Sequence, residues 1–188
     1  MSILKRNIQS AIELLGALET MEPLLNQAAE LVGDCLVGGG KLLVCGNGGS
    51  AADGADFSTE FTCRFVNDRR PYPAINLAEG SSLITATGND YGFDDIFSRQ
   101  VRAFGRKGDV LVGITTSGNS SNIIKAIHEA KALGISTIAL LGKGGGKTRG
   151  LAAVELIIPS DVTARIQEAH KFLLHTICEL VEPRLAKE

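Results

Sequence analysis

Two carboxylates four residues apart, Asp56 and Glu60, follow a glycine-rich turn, Gly46-Asn47-Gly48-Gly49-Ser50, in the stretch KLLVCGNGGSAADGADFSTEFTCRF from Lys41 to Phe65. On a helix that spacing sets both side chains on one face, about 6 Å apart along the axis. Like charges so placed repel unless a proton or a metal ion sits between them. The turn before them has its own chemistry. Glycines let the backbone turn tightly and present successive N–H groups to an anion, most naturally a phosphate, and Ser50 stands where it can cap the helix that follows. An ordinary strand-to-helix turn asks for glycine too, so this segment alone leaves both readings open.

A second loop, Thr115-Thr116-Ser117-Gly118-Asn119-Ser120-Ser121, places five hydroxyls and a glycine between an apolar strand and a helix, the same structural position as the first. Near the C-terminus, Gln167 and His175 interrupt an otherwise apolar helical stripe, whereas Glu168 and His170 suit a solvated side. A histidine in such a helix is more often a satisfied core residue than a ligand. The segment GKGGGKT, Gly142 to Thr148, invites a nucleotide P-loop reading, but that pattern needs glycine at 141, where Leu141 stands, so a flexible loop is expected.

The elements that must position these groups are legible from periodicity. Ile8, Ile12, Leu15 and Leu18 recur at helical spacing, and Leu24, Ala28, Leu31 and Cys35 do so again after Thr20-Met21-Glu22-Pro23. With Leu14, the first stripe is wider than one domain face needs, which predicts packing of residues 1–38 against another subunit. Apolar runs predict strands at 42–45, 74–77, 109–114, 135–141 and 154–158, with helices at 79–87, 93–104, 122–133 and 163–184 between and after them. That alternation predicts an α/β three-layer sandwich: a five-stranded parallel sheet, flavodoxin-like, in the order 2-1-3-4-5 and covered by helices on both faces. The switch point of that order lies between strands one and three, the strands that end in the two loops, so both cradles are expected at one crevice.

Composition narrows the classes. The 188 residues are 44% hydrophobic with no long apolar span, and 19 basic and 21 acidic residues interleave to a net charge of −2. One domain is expected, cytoplasmic, with no membrane and no nucleic acid among its partners. Cys35, Cys45, Cys63 and Cys178 show no paired spacing and read as reduced core thiols.

The motifs GNGGSAAD, E-F-T-x-R-F, GND-x-GF-x-DIFSRQV, TSGNS, GKGGGK and ARIQE-x-H-x-x-x-H together resemble the bacterial phosphoheptose isomerases of the sugar isomerase (SIS) superfamily over nearly the whole chain. The resemblance implies a single SIS domain over 1–188. It also implies conversion of sedoheptulose 7-phosphate to D-glycero-D-manno-heptose 7-phosphate through an enediol, early in heptose biosynthesis for cell-surface glycans. A homotetramer with sites at subunit interfaces and one zinc ion per subunit are implied too. By position, Asn47, Gly48, Gly49, Ser50, Glu60, Asn89, Asp90, Thr115, Thr116, Ser117, Ser120 and Gln167 would contact the phosphosugar substrate. Glu60 and His175 would be the catalytic base and acid, and Asp56, Glu60, Gln167 and His175 the zinc ligands. Asp56 departs from the family, which usually has histidine there, and an aspartate makes the site harder and more anionic. Two alternatives share the fold: a non-catalytic SIS tetramer that binds the replication initiator, and a sugar-phosphate sensor.

Overall fold

The computed structural model describes residues 1–186. Two helices, α1 (Ile3–Ala17) and α2 (Glu22–Val37), precede the first strand, with a proline in the first turn of α2 where its missing N–H costs nothing. There follow β1 (Leu42–Gly46), α3 (Gly49–Thr62), β2 (Ala74–Asn76), α4 (Ser81–Asp90), α5 (Ser98–Phe104) and β3 (Val110–Thr115). The chain closes with α6 (Ser121–Ala132), β4 (Ser136–Leu141), β5 (Val154–Ile157) and α7 (Thr163–Leu185). The sheet is parallel throughout and ordered β2-β1-β3-β4-β5, as the sequence predicts. The helix expected at 79–87 runs on through Gly88-Asn89-Asp90 and so ends three residues later than expected. The helix expected at 93–104 is split into a 3₁₀ turn, Phe93–Asp95, and α5.

Strand alternation divides the core. Leu42, Val44, Val110, Val112 and Ile114 face the layer built by α1, α2, α3 and α7, where Phe57, Phe61, Leu173 and Ile177 are buried. Leu43, Cys45, Leu111, Ala139 and Leu141 face the opposite layer with Phe97, Val101, Ile123 and Ile127. Each such Leu, Ile or Phe, fully withdrawn from water, contributes roughly 1.5–3 kcal/mol. α3 lies close on β1 because Gly54 has no side chain: a Cβ there would meet the Val44 side chain at 3.0 Å. α7 packs beside α3 and runs the same way, so their residues meet in step: Gly49 with Gln167, Asp53 and Asp56 with Lys171, and the segment after α3 with Glu182. Glu182 accepts from Val66 N, Asn67 N and Asn67 Nδ2, each at 3.0 Å, and so ties down the charged loop before β2.

Other expectations from sequence need correction. His170 is fully buried instead of solvated, because α7 turns that face onto the C-terminal end of β4. Cys63 is exposed at the end of α3, while Cys35, Cys45 and Cys178 are buried thiols. The segment Lys143–Thr148 is a kinked turn pinned to the second loop: Thr148 donates to Gly118 O through both N (2.9 Å) and Oγ1 (2.8 Å), and Lys147 N donates to Asn119 Oδ1 at 3.0 Å. Its glycines serve contact as well as freedom, since Gly118, at φ +65°, has its Cβ position only 2.0 Å from Gly145 O.

Candidate functional site

The two loops meet at the mouth of the crevice between β1 and β3. Asn47 Nδ2 donates to Asn122 Oδ1 at 2.9 Å and Asn122 Nδ2 returns a bond to Asn47 Oδ1 at 3.0 Å, a reciprocal amide pair that clamps the first loop to the start of α6. Gly48 makes the turn at φ +56°, a conformation that a side chain would strain. It also occupies the cap position of α3, so Ser50 is not the cap: it lies buried in the first turn of that helix, its N–H donating to Asn47 O at 3.1 Å.

In the second loop the hydroxyls converge. Thr115 Oγ1 is 3.0 Å from Ser120 Oγ and 3.4 Å from Ser117 Oγ, and Asn119 N donates to Ser117 Oγ at 3.1 Å. Ser120 is the cap residue of α6, in extended conformation, with no side-chain bond into the helix. Its hydroxyl is thereby left beside the helix N-terminus, the place where backbone dipoles and free N–H groups favour an anion. Thr116 is partly exposed at the same end of β3. Asn89 and Asp90 lie on the exposed end of α4, where Asn89 Nδ2 donates to Asp90 Oδ1 at 2.8 Å.

Along the α3/α7 seam the remaining groups form a ladder. Gln167 lies over the first loop: a Cβ on Gly49 would fall 2.1 Å from Gln167 Nε2, so only glycine admits that amide. One turn further along α7, Lys171 donates to Asp56 Oδ2 and reaches Asp53 Oδ1 at 3.2 Å. Partial burial pulls the Lys171 ammonium pKa down, but the bonds to Asp56 and Asp53 outweigh it and the group stands above its ordinary value. Asp53 Oδ2 is buried without a partner. Gly49, Ala52, Asp53, Gln167, Glu168 and Lys171 line an open hollow of about 500 Å³ beside the first loop. Next along, the Phe65 and His175 rings lie 6.0 Å apart, and His175 is partly exposed. Glu60 stands near Cys178, three residues beyond His175: burial first, and then the Glu60 carboxylate, push that thiol well above its usual range. Arg69 Nη2 donates to Glu60 O at 2.6 Å, which fixes the end of α3 that presents the carboxylate.

The four residues expected to hold a metal therefore lie strung along the seam. Asp56, Glu60 and His175 do not close round one point, and no group of three or more metal-ligating His, Cys, Asp or Glu side chains occurs among the described residues. Asp53 and Lys171 are the site residues that sequence reasoning missed. A signal for both was present, since Asp53 precedes Asp56 by one turn and Lys171 lies between Gln167 and His175, but nothing in one dimension shows that the two helices run side by side.

A family model for the SIS domain matches residues 7–142. The chain is 50% identical over 183 residues to the phosphoheptose isomerase of Citrifermentans bemidjiense, covering 97% of this chain and 95% of that one. Among solved structures, the phosphoheptose isomerase of Francisella tularensis superposes with a TM-score of 0.92 at 39% identity, covering 97% of this chain and all of its own. That of Neisseria gonorrhoeae superposes with a TM-score of 0.89 at 43% identity, over 96% and 97% of the two chains.

Proposed function

The chain belongs to the SIS domain family and, within it, to the phosphoheptose isomerases, and we propose that its crevice interconverts sedoheptulose 7-phosphate and D-glycero-D-manno-heptose 7-phosphate through an enediol. The observation that carries the reading is the reciprocal Asn47–Asn122 pair, which joins the two anion loops into one phosphate cradle beside the α3/α7 seam. The phosphate sits against Ser117, Ser120 and Thr115 and the backbone of Gly48 and Gly49. Asn89 and Asp90 belong to the sugar end of the site in this reading, reached from their exposed position on α4.

Aldose–ketose isomerisation moves a proton between C1 and C2 and shuttles hydroxyl protons. Glu60 is the base, its helix end held by Arg69. His175, beside Phe65 just past the end of α3, supplies and removes the hydroxyl proton. No step is assigned to zinc, because Asp56 is already engaged by Lys171 and the donors do not converge. A homotetramer with sites at subunit interfaces belongs to the same proposal. It is supported by the unpartnered apolar side of α1, where Ile3, Leu4, Ile8 and Ile12 are 50–70% exposed, and by Phe172 and Leu180 on α7. No helix among the described residues is long and apolar enough to cross a membrane, and a cytoplasmic setting suits the buried free thiols.

The test is turnover of sedoheptulose 7-phosphate by the purified chain, with Glu60→Gln beside it. The expected result is isomerisation by the wild type and a fall in kcat of about a hundredfold or more in the variant at unchanged Tm. An inactive wild type sinks the reading, and a fully active Glu60→Gln removes Glu60 from it.

A further inference from the structure

Asp53 and Asp56 bring two carboxylates into the seam, and an isolated pair of this kind calls for a cation. That cation is already part of the chain. Lys171 donates to Asp56 Oδ2 and lies 3.2 Å from Asp53 Oδ1, with its side chain 30% exposed at the edge of the hollow that reaches Gly49 and Gln167. The ammonium therefore stands between the anion loop and the level of Glu60 and His175, the stretch of the seam in which the family resemblance would set a metal.

We propose that Lys171 is a built-in replacement for the metal ion, and that this isomerase works without one. An ammonium at Asp56 works against a divalent ion there: the like charges repel, and Asp56 Oδ2 already accepts from Lys171. The two residues suit each other. An oxygen anion at position 56 suits an ammonium as well as it suits a metal, whereas a neutral imidazole nitrogen there would be a poor partner for a lysine. Lys171 is a positioning residue in this scheme. It holds Asp53 and Asp56 together and leaves a fixed positive charge on the wall of the hollow, where the developing negative charge of an enediolate gains from it.

The inference rests on the reading of the site as an isomerase centre, and its decisive test is read without turnover. Zinc is titrated calorimetrically into the apo wild type, Lys171→Ala and Lys171→Arg, with Tm measured on each to confirm folding. Wild type and Lys171→Arg are expected to show no stoichiometric zinc site at micromolar concentration, and Lys171→Ala to bind zinc at least tenfold more tightly because two carboxylates are released. In parallel, wild-type kcat is expected to be unchanged after chelation. One zinc per subunit in the wild type, loss of activity on chelation with recovery on adding zinc, or a Lys171→Ala that binds no better than wild type each overturns the proposal. A wild type that turns over no sedoheptulose 7-phosphate overturns the functional reading instead, whatever the calorimetry shows.

Discussion

Two lysine–aspartate groupings sit at opposite ends of the central strands and are built differently. Below the sheet, where β1 and β3 begin, Lys41 Nζ meets Asp109 Oδ2 at 2.6 Å. The Asp109 side chain is wholly buried, and both its oxygens are used: Oδ1 accepts from Lys41 N at 3.0 Å and Oδ2 also accepts from Arg106 N at 2.8 Å. Above the sheet, Lys171 bridges Asp53 and Asp56 beside an open hollow, and Asp53 Oδ2 is left buried with no partner. A buried charge is tolerated when every lone pair is answered, and the lower pair meets that condition while pinning the entry to β1 against the entry to β3. The upper grouping does not meet it. An unanswered oxygen next to a phosphate cradle is the kind of local cost that packing alone does not explain and a reaction site does.

The contrast can be broken most sharply at the lower pair. Asp109→Ala should cost about 3–5 kcal/mol in a urea melt, because it strands a lysine and two backbone donors, while kcat per folded molecule stays at the wild-type value. A large loss of kcat at unchanged stability would mean that the two ends are not separable as structure and site.

α7 offers a finer comparison, since adjacent residues on it face opposite ways. Lys171 looks into the seam, whereas His170 is buried and donates through Nε2 to Leu141 O at 3.2 Å, with Nδ1 unpartnered. Burial pulls the His170 pKa down from 6.5 to about 4, partly opposed by the bond to Leu141. The folded state thus resists a proton that the unfolded chain accepts. The stability this contributes is complete above pH 6.5 and drains as pH falls toward 4, by as much as about 3 kcal/mol. Urea melts from pH 7.5 to 4 should show that slope, and His170→Gln, which keeps a donor for Leu141, should flatten it. An unchanged slope in the variant would assign the acid sensitivity elsewhere.

The smallest effect belongs to the cradle. Ser120→Ala removes one hydroxyl from a phosphate that lies far from the reacting carbons, so binding weakens about equally in the ground and transition states. KM should rise about two- to tenfold with kcat within a factor of two. A kcat effect larger than the KM effect would place Ser120 closer to the chemistry than the Thr115–Ser120 contact suggests.

Much of this was written in local pattern. Apolar runs bounded by glycine or proline marked all five strands to within a residue or two, and the alternation of strands with helices implied a parallel sheet in the order observed, because crossovers of one hand leave few topologies. The meeting of the two loops at one crevice was legible because the strands they follow flank the switch point of the sheet. The errors cluster where a residue's role depends on what packs against it. His170 looked solvated because helical periodicity gives spacing on one helix and cannot say which face β4 will cover. GKGGGKT looked flexible because its glycines are needed for a close approach to Gly118, a contact 27 residues away in the chain.

The chain by itself thus determined the family, the sheet and the position of the crevice, all of which follow from short-range stereochemistry and apolar periodicity. Only the tertiary structure decided what stands between Asp56 and Gln167. Lys171 is 115 residues from Asp56, and nothing local couples them. The coupling arises when α3 and α7 pack in parallel against the same strands, so that the α7 stripe buries Leu173 and Ile177 and turns Lys171 toward two aspartates. Charge pairing over that separation is a consequence of core packing, which a linear reading of residue types does not contain.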